Sequence, residues 1–279
     1  MIIWLASYPK SGNTWLRSLI SSYYFSTNGT FDFNLLNYID QFPAPKYFED
    51  VKDNIIKIGI PSKGRLRSGV LNIFNKNKLK ILSERGERDL FGFIKGKKNI
   101  VINYLHAREI IERLADGSLD IGFSGYDLLK ESEINIQKKV IVKKRYDFGE
   151  ATLVVAIPDD WIDVQTMPDL EEIAFEFKDK KRNRLRIATK YPNLTREFMF
   201  SRGVTQFKLV KSLGATEIYP FTGSSEIITD ITSTGATLKA NNLRILKDGI
   251  ILHSQACLLT SKKSNKLKDL KRLINLVSK

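Results

Sequence analysis

The chain has 279 residues, a length that suits about two domains, and carries a formal net charge of +14 from 45 Lys and Arg against 31 Asp and Glu. Its apolar content of 42% and aromatic content of 10% fit a soluble globular protein. A single cysteine, Cys257, excludes an internal disulfide, and no stretch reaches the roughly 18 uninterrupted apolar residues of a membrane-spanning helix.

Met1 to Phe25 lacks the basic start of a signal peptide, and Pro9, Lys10, Gly12 and Asn13 interrupt its apolar run. The lone thiol therefore suits a reducing cytoplasm. Up to Lys52 the cations Lys10, Arg17, Lys46 and Lys52 balance the anions Asp32, Asp40, Glu49 and Asp50, so the whole positive excess lies downstream. Such a balance suits polyanionic partners, either nucleic acid or small phosphorylated metabolites. Lys-rich solvated faces account for most of it, and the absence of a basic helix interleaved with exposed aromatics argues against DNA or RNA.

Taken in order, Ile2 to Ser7 is a strand-like run leading into Tyr8-Pro9-Lys10-Ser11-Gly12-Asn13-Thr14-Trp15-Leu16-Arg17 and a helical pattern through Leu19, Ile20 and Tyr23. This order of strand, loop and helix aims Lys10 at a phosphate and puts Thr14 near the helix start. It resembles the opening loop of sulfotransferases over about the first 50 residues, and nothing later resembles the rest of that family. Residues 1–52 are thus expected to be a fragment and linker, from a fusion or a misread start. Asn28-Gly29, Pro43, Pro45 and the polar run to Asn54 mark the turn and linker.

Ile55 to Ile60 predicts a new first strand, and Pro61-Ser62-Lys63-Gly64-Arg65 turns into a helix carrying Leu66, Val70, Leu71 and Phe74. Gly64 and Gly69 imitate half of a Walker loop, but Val70 and Leu71 stand where Lys and Ser/Thr belong, so that reading fails. Residues 100–104 predict a strand, and 107–114 a helix with Ile110, Ile111 and Leu114 on one face. Asp116 to Asp127 reads as a strand running into a glycine turn, with Asp120 in a capping or pairing role. A crossover strand is expected over Val140 to Ile157. Arg184 to Ala188 then feeds Thr189 to Arg196, where Pro192 pins a turn and Thr195 begins a helix.

After a strand at Phe207 to Lys211, the segment Glu217 to Leu238 predicts a buried strand through Ile227, Ile228 and Ile231, then the loop Thr232-Ser233-Thr234-Gly235-Ala236-Thr237 and a helix start. Small hydroxyl residues around one glycine let successive amides converge on a phosphate, and Asp230 stands where it meets the hydroxyls of a sugar carrying that phosphate. An ordinary strand-to-helix turn has the same composition. Leu243 to Leu246 and Ile250 to Thr260 predict return strands. Leu267, Leu270, Leu273, Ile274 and Val277 form the stripe of a basic C-terminal helix.

Glu217, Gly223, Ser225, Ile228, Asp230, Ile231, Thr234, Gly235, Thr237 and Leu238 together resemble the signature of the ATP phosphoribosyltransferases. The PSKGR turn, the GxxDxGxxGxD segment at Gly117 to Asp127 and the Thr189 to Arg196 segment resemble the same family in the same order. The likeness runs over about residues 55–279 and is closest to the short form, without a C-terminal histidine-sensing domain.

It implies an α/β, two-lobed fold like that of type II periplasmic binding proteins, with one lobe from 53–148 and 241–279 and the other from 149–240. It also implies the condensation of ATP with 5-phosphoribosyl 1-diphosphate to N1-(5-phosphoribosyl)-ATP and pyrophosphate, the first step of histidine biosynthesis. In that reading Asp230 and Glu217 hold the ribose hydroxyls, and Thr232, Ser233, Thr234, Gly235, Ala236 and Thr237 clamp the 5-phosphate. Lys63, Arg65 and Arg88 meet pyrophosphate, and Lys190, Tyr191 and Arg196 meet ATP, with Tyr191 stacking on adenine or packing as a partly buried tyrosine. Mg²⁺ accompanies the diphosphates with no protein ligand assigned, and a histidyl-tRNA-synthetase-like regulatory subunit is the expected partner. Neither His106 nor His253 has partners that suggest catalysis. The alternative is a non-catalytic two-lobed ligand-binding module.

Overall fold

The computed structural model describes residues 19–24, 26–28, 30, 32, 34, 55–82, 90–264 and 268–278. The chain divides into two compact units, 1–55 and 56–279. In the first, residues 19–24 are helical. The phosphate-loop-like segment Tyr8 to Arg17, the linker expected near residue 53, Arg88 and Leu267 lie outside the described residues.

The second unit holds two sheets. In chain order its elements are β1 (Ile56–Pro61), α1 (Gly64–Lys76), β2 (Ile81–Leu82), β3 (Phe91–Ile94), β4 (Lys97–Leu105), α2 (Ala107–Asp116), β5 (Ile121–Gly125), α3 (Tyr126–Glu131), α4 (Ile134–Gln137), β6 (Val140–Arg145), β7 (Ala151–Pro158), α5 (Met167–Lys181), β8 (Leu185–Thr189), α6 (Pro192–Ser201), β9 (Phe207–Lys211), β10 (Ile227–Thr232), α7 (Ala236–Ala240), β11 (Leu243–Ser254), β12 (Ala256–Ser261) and α8 (Lys268–Val277). The first sheet runs β2-β3-β4-β1-β5-β12-β6 and the second β11-β7-β10-β8-β9.

Strand β1 pairs in parallel with β4 and β5, and Ile56, Ile58 and Ile60 are all buried. That is why its sequence is nearly continuous in apolar residues, as parallel strands covered on both faces are. Helix α2 buries Ile110, Ile111 and Leu114, and Gly122 leaves no room for a Cβ beneath Ile110.

The expected crossover strand is two strands, β6 in the first sheet and β7 in the second, separated by 146–150. A second crossing, β11 to β12, returns the chain. The crossings bond to each other, with Tyr146 N donating to Ala256 O at 2.9 Å and Ala256 N to Phe148 O at 3.0 Å. The Tyr146 hydroxyl donates to Val277 O at 2.7 Å, anchoring α8 beside them. The expected lobe boundary at 240 is too early. Strand β11 pairs antiparallel with β7 from Leu243↔Pro158 to Ser254↔Ala151, so the second lobe runs to residue 254 and only the chain from β12 onward returns to the first. Ile250 to Thr260 is split between the sheets at Gln255, the last of the three polar residues His253, Ser254 and Gln255 that interrupt its apolar run. Cys257 is fully buried on β12, and burial pushes its thiol up to about 11.

Candidate functional site

Strand β10 pairs with β7 on one side and β8 on the other, so its C-terminal end delivers the loop 232–237 from the middle of the second sheet. The ends of central strands are where ligands of α/β folds sit. Gly235 adopts φ +75° as the N-cap of α7, a left-handed conformation that favours glycine. Its amide donates to Thr232 Oγ1 at 2.9 Å, and the Ala236 amide to Thr234 Oγ1 at 3.3 Å. Helix α7 is a single turn or so, so the amides of the loop, more than a macrodipole, supply the positive end.

Asp230, on β10 just before the loop, is half-buried and accepts from the Ile231 amide at 2.8 Å. Burial pushes its pKa above the ordinary value. The Ile231 amide, the charge of Lys190 and the Thr216 hydroxyl pull it down, and the neighbouring Glu217 pushes it up again. The structure thus gathers Asp230, Glu217 and Lys190, which are distant in sequence, around the root of the loop. From the first lobe, Arg65 donates to Ser233 Oγ at 3.0 Å. Lys63 is the exposed N-cap of α1, two residues before Arg65.

Two of the expected ATP contacts are placed differently. Tyr191 is 6% exposed and its hydroxyl donates to Asp127 Oδ2 at 2.8 Å. Its ring is packed between the lobes, so it is not a free stacking surface for adenine. Arg196 lines a groove of about 400 Å³ with Arg184, Phe200, Phe207 and Lys208, beside β9, the edge strand of the sheet among the described residues, and is not grouped with the loop. Cations along an edge strand guard it against pairing with other chains.

Asp120 accepts from the Lys57 amide at 2.8 Å, the structural role expected of it. His106 caps α2 by accepting from the Arg108 amide at 3.3 Å, and His253 meets Thr152 Oγ1 at 3.2 Å. Sequence reasoning gave no role to Asp127, Glu131, Arg108 or Ser254, which join the two lobes behind the site. The available signal was Asp127, which directly follows a buried strand and its glycine turn.

The sequence pattern of the family described as ATP phosphoribosyltransferase matches residues 106–279. An ATP phosphoribosyltransferase of Rhizobium etli is 43% identical over 211 residues, 75% of this chain and 91% of that protein. One of Nitrobacter winogradskyi is 46% identical over 208 residues, 75% of this chain, which spans 64% of the length of that longer relative. Among solved structures, the ATP phosphoribosyl transferase (HisG:HisZ) complex from Thermotoga maritima matches at 27% identity with a TM-score of 0.63, covering 80% of this chain and 96% of that one. The sulfotransferase likeness of the first 50 residues finds no support in these comparisons.

Proposed function

The chain belongs to the ATP phosphoribosyltransferase family, a family of pentosyltransferases, and we propose that it joins ATP to 5-phosphoribosyl 1-diphosphate, releasing pyrophosphate. The observation that supports this most is the loop 232–237 at the end of β10, with Asp230 and Glu217 at its root and Arg65 reaching it from the other lobe. In this reading the amides of the loop hold the 5-phosphate, and the two carboxylates accept hydrogen bonds from the ribose hydroxyls. Lys63 and Arg65 face the pyrophosphate, as does Arg88 by its family position.

Adenine N1 forms a bond to C1 as the bond from C1 to the pyrophosphate oxygen breaks. Positive charge develops at C1, and holding both ends of the donor in line supplies most of the acceleration. Asp230 and Glu217 stabilise that charge by proximity, and no covalent intermediate with the protein is required. Mg²⁺ prefers phosphate oxygens, waters and one or two carboxylates. The diphosphate supplies the first, and Asp230 and Glu217 are the acidic oxygens beside the loop, so they would complete its shell and it would neutralise the leaving group. Lys190, whose charge acts on Asp230, is kept as an ATP contact by its family position.

We place the reaction in the cytoplasm, since its substrates are intracellular metabolites. No helix among the described residues is long and apolar enough to cross a membrane. A histidyl-tRNA-synthetase-like regulatory subunit is the proposed partner, supported by the likeness to one chain of a two-protein complex.

The test is pyrophosphate release by the purified chain with ATP, 5-phosphoribosyl 1-diphosphate and Mg²⁺, with and without such a subunit. Release that requires both substrates is the expected result. A folded chain that releases none under either condition sinks the assignment and favours simple ligand capture.

A further inference from the structure

Helix α6 of the second lobe begins with an unusual deficit. Tyr191, at its N-cap, offers no side-chain cap, and Pro192 opens the helix. The first amides of a helix have no intrahelical acceptor and must find one elsewhere. They find it in the first lobe. Glu131 Oε1 accepts from the Asn193 amide and Oε2 from the Leu194 amide, each at 3.0 Å, while Asn193 Nδ2 donates to the Glu131 carbonyl at 2.8 Å. A carboxylate is also the favourable charge at that end of a helix.

One turn earlier on the same short helix α3, the buried Asp127 accepts the Tyr191 hydroxyl at 2.8 Å on Oδ2 and the Ser254 hydroxyl at 2.6 Å on Oδ1. Its amide donates back to Ser254 Oγ at 2.9 Å. Gly125 makes this possible, because a Cβ there would collide with Asp127 Oδ1. Arg108 adds a third tie, its guanidinium donating to Lys190 O at 3.4 Å.

The same residues lead inward to the site. The Tyr191 amide donates to Thr189 Oγ1 at 2.9 Å. Thr189, Thr195 and Thr229 close a ring of hydroxyls, with Thr229 Oγ1 at 2.7 Å from Thr189 and 2.6 Å from Thr195, and all three are at most 1% exposed. Thr229 precedes Asp230 on β10. Two carboxylates on one helix therefore grip α6, and α6 is tied through buried hydroxyls to the strand that carries the acid.

Building on the reading above as a phosphoribosyltransferase, we propose that Asp127 and Glu131 are positioning residues for the reaction, holding the second lobe in the orientation that aims Asp230 at the ribose. Neither touches substrate. They act through Tyr191, the amides of α6 and the threonine ring. Coupling over such a distance needs a contiguous network with defined arrangements, and here each link is a bond of stated length.

The experiment measures four things on the 279-residue chain and its Tyr191→Phe, Asp127→Asn, Asp127→Ala and Glu131→Gln variants: steady-state pyrophosphate release, binding of 5-phosphoribosyl 1-diphosphate by calorimetry, Tm, and amide hydrogen exchange. For Tyr191→Phe, kcat falls about tenfold, as loss of a hydrogen bond to a charged group predicts, while the affinity for the donor, whose phosphate clamp is intact, is unchanged. Asp127→Asn retains an acceptor oxygen and loses less than Asp127→Ala. Combining Asp127→Asn with Tyr191→Phe gives less than the product of the separate losses. In Glu131→Gln the Asn193 and Leu194 amides exchange faster while those of β7 do not.

Wild-type kcat in both Tyr191→Phe and Glu131→Gln overturns the proposal, as does a loss of kcat that follows donor affinity and Tm together. A wild-type chain that releases no pyrophosphate instead sinks the assigned reaction. The exchange experiment then decides alone, and unchanged protection at Asn193 and Leu194 removes the grip on α6.

Discussion

The Asp230 carboxyl stands half-buried on β10, the strand between β7 and β8, and burial is the largest influence on its pKa, raising it above the ordinary aspartate value. A raised value in the folded chain means that folding favours the protonated form. Its stabilising effect is complete below the ordinary aspartate range and is lost as pH rises through the raised value, so at neutral pH the charged Asp230 opposes folding. Asp230→Asn should therefore raise Tm at pH 7 and lose that advantage towards pH 4, while turnover falls because the charge facing C1 is gone. Thermal melts at the two pH values, beside pyrophosphate release, check both halves. A lower Tm at pH 7 with full activity would remove Asp230 from the site. The acid limb of kcat/KM in the wild type should likewise lie above the ordinary aspartate range.

Loop 232–237 owes its path to Gly235, at φ +75° with open space where a Cβ would stand. Space is therefore not what excludes a side chain there; the backbone angle is, and a β-branched residue tolerates it worst. Gly235→Val should leave the sheets folded and abolish binding of the donor, since relaxing φ swings the amides off the phosphate. Full donor affinity by calorimetry would place the phosphate elsewhere. This loop was legible in the sequence because strand, turn and acid are contiguous, and β1 was legible because a strand buried on both faces is nearly continuous in apolar residues, only its Lys57 being exposed, whereas β7 was read together with β6 as one crossover strand. Helix α5 went unread. Its buried stripe is only Met167, Leu170 and Ala174, Phe175 is 58% exposed, and the start signal in which Asp169 accepts from the Gln165 and Thr166 amides needs three polar residues to be read together. The lobe-to-lobe contacts had no local pattern at all. Tyr191 meets Asp127, and Asn193 meets Glu131, across more than 60 residues of chain, so only the two crossings near 146–150 and Gln255 bring them together. The same distance explains why the sequence left Tyr191 between stacking on adenine and packing as a buried tyrosine, since its neighbourhood says nothing of the carboxylate that holds it.

Each lobe supplies a different part of the proposed donor site, the second the phosphate loop and the first the cations of α1, with Arg65 already bonded to Ser233 across the gap at 3.0 Å. One ligand that meets both lobes stabilises them together. At a concentration of about 100 times Kd, 5-phosphoribosyl 1-diphosphate contributes about 2.7 kcal/mol to folding. For a body of this size that corresponds to a Tm increase of about 5–10 °C. Arg65→Ala removes a charged donor from the pyrophosphate end, which weakens binding about tenfold. At the same ligand concentration the contribution then falls to about 1.4 kcal/mol, and the Tm increase is roughly halved. Ribose 5-phosphate lacks the pyrophosphate and engages only the second lobe, so the increase it produces should be the same in the wild type and in Arg65→Ala. Melting curves with the two ligands on the two proteins separate the cases. Equal increases with 5-phosphoribosyl 1-diphosphate in both proteins would mean that the donor is held by the second lobe alone and that Arg65 faces it without binding it.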